Sequence, residues 1–97
     1  MPSETNIMFD EKSDNEQIKR AFGQVVMEAR SDAGFKQRPF ARITGISNSH
    51  LRSIEAGEVS PTLVTICKIA ATLDSDPSEL VAAACKMAGI EGADPEQ

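Results

Sequence analysis

Asn48, Ser49, Arg52 and Ser53 are the side chains of this chain whose types and spacing best suit recognition of another molecule. At about 100° per residue they share one side of a helix with Ala56, while Leu51 and Ile54 fall on the other. A greasy side can dock on a core, and the polar side stays free, with no bulky aromatic in the way. Asparagine can pair with adenine through two hydrogen bonds, arginine with guanine through two, and serine with either. Such a helix suits the DNA major groove, with Asn48 and Arg52 as the strongest readers. A merely solvated polar face is the plain alternative.

A helix of this kind needs something to hold it. The stretch from Gln37 to Ala56, QRPFARITGISNSHLRSIEA, reads as a short helix, a tight glycine turn and a second helix over residues 47–56. Phe40 and Ala41 give the leading helix an apolar contact and a small residue for close approach. Gly45 stands where the chain must take a positive φ to turn. Ile46 anchors the turn, and Ser47 is a good N-cap for the helix that follows.

The segment resembles the helix-turn-helix of the Cro and lambda-repressor-like (XRE) regulators. Three spaced motifs carry the likeness: R-x-x-x-G-F-x-Q at Arg30 to Gln37, S-x-S-x-L-x-x-I-E-x-G at Ser47 to Gly57, and S-P-T-L-x-T-I-x-K-I-A at Ser60 to Ala70. Several motifs in one order are more specific than a lone helix-turn-helix pattern. The resemblance implies an all-α, five-helix DNA-binding domain with its helix-turn-helix at the second and third helices. It also implies a transcriptional regulator, a repressor in the first instance, that binds duplex DNA.

Charge argues against nucleic acid until it is mapped. The 97 residues sum to −5, but residues 1–17 carry −4, residues 18–68 carry +4 and residues 69–97 carry −5. The helix-turn-helix region is basic and its flanks are acidic, which fits a DNA-facing patch with like-charged ends held away. With no Trp or Tyr and four Phe, a base-stacking platform for single strands or RNA is not expected. No stretch is apolar for long enough to span a membrane, and the first thirty residues lack a signal-peptide pattern. A cytoplasmic protein is the expectation. Cys67 and Cys85 are too few and too far apart for a paired-cysteine metal site, and both are expected as buried thiols. His50, the chain's sole histidine, has no Cys, Asp or second His at useful spacing. No phosphate-cradling loop, paired catalytic carboxylates or nucleophile triad appears, so neither an enzyme nor a cofactor is expected.

The remaining chain divides into an acidic arm at 1–12, a folded domain at 13–88 and an acidic tail at 89–97, both ends expected without order. Ser13 with Glu16 forms a plausible capping box for a first helix whose stripe is Ile18, Phe22, Val25, Val26 and Ala29. That helix should stop near Ala33, with Gly34 as its left-handed residue. The second helix departs from the family pattern. Lys36 replaces the capping Thr or Ser, Pro39 stands in the first turn, and Phe35 with Phe40 can supply a hydrophobic staple instead. Thr44 fills a position that is usually Leu, and Ile43 should point outward. Ser60-Pro61 reads as the cap of a fourth helix with Leu63, Ile66, Cys67, Ala70 and Leu73 inward. Asp76-Pro77-Ser78-Glu79 opens a fifth, ended by Gly89. Leu80, Val81, Ala84, Cys85, Met87 and Ala88 give it more apolar area than one side needs.

Further roles follow from the resemblance. Glu55 lies close to the buried face, where a carboxylate is costly unless paired. In the family an Arg and a Glu at the places of Arg30 and Glu55 form a partly buried ion pair, a structural role expected here. Gln37 resembles the Gln that family members set on a DNA phosphate, and Ser47 with its turn is a similar candidate. The surplus on the fifth helix implies a homodimer on a near-palindromic operator. The rival is an antitoxin or adaptor of the same fold, acting mainly through a protein partner. The acidic ends keep it open, as does Glu58 in the loop where a phosphate-binding cation would help.

Overall fold

The computed structural model describes residues 11–90, and these form five helices with no strand among them. The helices are α1 (Glu11–Asp32), α2 (Gln37–Thr44), α3 (Asn48–Glu55), α4 (Leu63–Thr72) and α5 (Pro77–Met87). The expected ends at 1–12 and 89–97 lie almost wholly outside the described residues.

α1 is the spine. It packs against α5 on one side and α3 on another, while α4 closes the bundle between α2 and α5. The fully buried side chains at the centre are Val26 of α1, Phe40 of α2, Leu51 and Ile54 of α3, and Ile69 of α4. Each contributes on the order of 1.5–3 kcal/mol by leaving water. Phe22 and Val25 join them from α1, with Leu80 and Ala84 from α5. One core therefore holds every helix, and it holds α3 by the face opposite its polar residues.

The local signals explain most boundaries. α1 ends where Gly34 takes φ +85°, its amide reaching the Ser31 carbonyl while the Phe35 amide reaches Arg30. α2 begins without a side-chain cap at Lys36. Phe35 and Phe40 instead meet edge to face with ring centres 5.5 Å apart, the staple expected from the sequence. α5 begins at Asp76, whose carboxylate accepts from the Ser78 amide, with Pro77 next. Gly89 follows its end at φ +76°.

Three expectations are corrected. α1 is helical from Glu11, two residues ahead of the start expected at Ser13. α4 is capped by Thr62, which accepts from the Thr65 amide at 3.2 Å, and Ser60-Pro61 stay ahead of the helix. Ala70 of α4 is buried and Ile66 and Leu73 pack against the core as expected, joined by Thr65 and Ile69, whereas Leu63 is 74% exposed and Cys67 is also exposed. The cause is composition. In LVTICKIAAT only Lys68 is charged, so hydrophobicity marks no side, and Cys67 lies about 200° round from Ile69. Cys67 is thus not a buried thiol, and Cys85 is only half-buried.

A hydroxyl pair helps fix the side that faces α2. Thr44, buried in place of a leucine, lies 2.8 Å from the Thr72 hydroxyl of α4. Thr72 gives its proton to the Lys68 carbonyl, so Thr44 is the donor to Thr72. This pairing satisfies two hydroxyls where α2 meets α4.

Candidate nucleic-acid interface

α2 and α3 are joined by Gly45, Ile46 and Ser47. Gly45 takes φ +85° and sends its amide to the Ala41 and Arg42 carbonyls, ending α2 with no Cβ in the way. Ile46 is half-buried against the core, pinning the turn. Ser47 caps α3 by accepting the His50 amide at 3.0 Å. Its hydroxyl proton is left over, so Ser47 can still donate outward.

The polar face of α3 stands clear of the core as expected. Ser49 and Arg52 are exposed, while Asn48 and Ser53 are half-buried. Asn48 and Arg52 face a shallow cleft of about 500 Å³ shared with Lys36, Gln37, Arg38 and Pro39 at the start of α2. Ser49 and Ser53 line a neighbouring hollow with Arg52, Ala56 and Glu58. Arg52 thus stands between the two concavities. Asn48 Oδ1 is the one buried side-chain polar atom among the described residues with no hydrogen-bond partner. Such an oxygen costs about 1–3 kcal/mol while it stays unpaired.

Neither Lys36 nor Arg38 was named as a DNA-facing residue from the sequence. The signal was there: both belong to the basic middle block and flank Gln37 at a helix start, where backbone amides and cations favour the same anion.

Behind the face sits the ion pair. Arg30 Nε donates to Glu55 Oε2 at 2.7 Å and Nη2 to Oε1 at 3.0 Å, a two-pronged contact. The two side chains are 12% and 4% exposed. Arg30 Nη1 also donates to the Phe35 carbonyl at 2.8 Å, so one guanidinium ties α1, the α1–α2 loop and α3 together. Gln37 Nε2 donates to Glu55 Oε1 at 2.9 Å. That last contact was not foreseen: Gln37 was expected only as a contact to a DNA phosphate.

The arrangement is that of a DNA-binding helix-turn-helix regulator: a scaffold helix, a tight turn, and a capped helix with a free polar face beside cations. The chain belongs to the helix-turn-helix family, of XRE type, whose family model matches residues 26–80. It is also similar to the restriction-modification controller protein C.AhdI from Aeromonas hydrophila, known from a crystal structure. The two share 36% identity with a TM-score of 0.61, over 63% of this chain and 92% of that one. No curated protein matches. The family and this structure together support DNA binding and transcriptional regulation, and they do not favour the antitoxin or adaptor alternative. No helix among the described residues is long and apolar enough to cross a membrane.

Proposed function

We propose that the chain is a cytoplasmic, homodimeric repressor that lays α3 in the major groove of a near-palindromic duplex. The observation that carries this reading is the shared cleft, which sets Asn48 and Arg52 beside Gln37 and two cations. Groups that suit base edges and groups that suit phosphates lie on one surface, as docking a helix in a groove requires. Asn48, Ser49, Arg52 and Ser53 read bases. Gln37 and Ser47 take phosphates, and Lys36 and Arg38 add attraction for the backbone. Likeness to a restriction-modification controller supports a regulatory role of this type.

Dimerisation rests on the outer face of α5. Val81 and Met87 of α5 are 41% and 50% exposed, although α5 already buries Leu80 and Ala84. Val81 and Met87 lie about 120° apart, on either edge of that buried face, and a second copy related by a two-fold axis covers one of these exposed apolar edges. The pair would then present two α3 helices about 34 Å apart, one turn of DNA.

Salt dependence tests the DNA reading. Binding to bulk duplex should be weak and fall steeply as salt rises, because cations that neutralise phosphates release counterions. A chain that shows no such binding at low salt is not a DNA-binding protein.

A further inference from the structure

We infer that Glu55 is a positioning residue for DNA binding, acting through Gln37. The inference rests on the proposed phosphate contact of Gln37.

Glu55 is nearly buried, and its carboxylate receives three donors: two from Arg30 and one from Gln37. An ionised carboxylate only accepts, so Gln37 must turn its nitrogen, and not its oxygen, toward Glu55. A free glutamine has no such preference, since its amide presents either end. Gln37 therefore stands at the wall of the cleft with its Nε2 fixed in place. One of the two hydrogens on that nitrogen goes to Glu55. The other stays available, and a phosphate, which also only accepts here, can use it.

Arg30 completes the device. A lone carboxylate this close to the phosphate position would repel it. The two-pronged guanidinium cancels that charge, and Oε1, which accepts Arg30 Nη2, has a second lone pair that takes Gln37 as well. The same guanidinium holds the Phe35 carbonyl, two residues ahead of Gln37, so the start of α2 is fixed by backbone and by side chain together. The chain of contacts runs from α1 through α3 back to α2, and its free end is a donor in the cleft. A long side chain ordered before binding does not have to be ordered during it.

The test uses the full chain and a short mixed-sequence duplex at low salt, with Gln37→Ala, Glu55→Gln and the double variant. Folding of each is followed by circular dichroism. Glu55→Gln removes one negative charge from the protein, which by itself tightens binding to DNA. The inference predicts the opposite. Glu55→Gln should weaken binding about three- to tenfold, the cost of ordering one long side chain. That loss should vanish when Gln37 is already Ala. A Glu55→Gln chain that binds as well as wild type or better overturns the inference. So does a loss of equal size with and without Gln37, which marks a purely structural role. If Gln37→Ala alone changes nothing, the phosphate reading itself is wrong, and the inference falls with it. Should Glu55→Gln fail to fold, NMR relaxation of the Gln37 side-chain amide in the free wild-type chain decides. Order matching the backbone supports the inference, and mobility like that of the exposed Gln17 overturns it.

Discussion

Gly23 of α1 lies directly against the Ile54 carbonyl of α3: a Cβ on Gly23 would sit 2.4 Å from that oxygen and 2.7 Å from the Glu55 carbonyl oxygen. The helix that carries the polar face therefore rests on bare backbone of the spine. Two effects compete in Gly23→Ala. In the middle of a helix the change ordinarily gains roughly 0.5–1 kcal/mol. Here the obstacle is backbone on both sides and cannot swing away, so overpacking wins, with a net loss of about 1–3 kcal/mol. Urea denaturation checks the sign. A more stable Gly23→Ala chain would show that α1 and α3 are not in such close contact.

The Arg30–Glu55 pair makes a second, separate prediction about stability. Glu55→Ala strands a guanidinium that is only 12% exposed, and should cost on the order of 3 kcal/mol. Arg30→Met combined with Glu55→Leu should recover much of that loss, because apolar groups of like size need no partner. Denaturant midpoints of the two single variants and the double give the coupling. Strictly additive losses would mean that the two side chains do not interact.

Both relationships show what was legible in the sequence. The carboxylate near a buried face, and the family resemblance, pointed to the ion pair. The turn at Gly45, the Ser47 cap and the free face of α3 could also be read, because each has a short-range cause. Gly23 could not: a glycine inside a helical stripe looks like a weakness until the partner helix is in place. Leu63 and Cys67 of α4 were misplaced inward for the related reason that a helix apolar nearly all round carries little phase. Hydroxyl pairing between Thr44 and Thr72, a contact far apart in sequence, helps select the side. Gln37's bond to Glu55 was likewise invisible, since only the fold brings the start of α2 to the end of α3.

The start of α5 gives a pH prediction. Hydrogen bonds from the Ser78 backbone amide, then from its hydroxyl, hold the Asp76 carboxyl below its ordinary value of 3.8. A depressed carboxyl adds stability that is present above the unfolded value and lost as pH falls through the folded one. Asp76→Asn keeps the capping oxygen but removes the titration. The variant should therefore lose less stability than wild type as pH drops below about 4. Equal acid sensitivity of the two chains would assign the loss to other groups.

Assembly is tested by sedimentation across a concentration series. The wild-type chain should associate to a dimer, and Met87→Glu should shift it to monomer by placing a charge on the exposed Met87 edge of α5. The variant should remain folded, because Met87 is 50% exposed. A wild-type chain that stays monomeric at the highest concentration, and binds half-sites without cooperativity, rules out the homodimer.

The central claim is that α3 reads base sequence in duplex DNA, and selection of bound sequences from a random duplex pool tests it most directly. Wild type should enrich a near-palindromic consensus with half-sites about one helical turn apart. Asn48→Ala or Arg52→Ala should cost about 1–3 kcal/mol on that site and relax the preference at one position in each half. Gln37→Ala should leave the consensus unchanged while weakening all sequences about equally. A pool with no enrichment, or a consensus and affinity indifferent to both Asn48 and Arg52, would contradict the account.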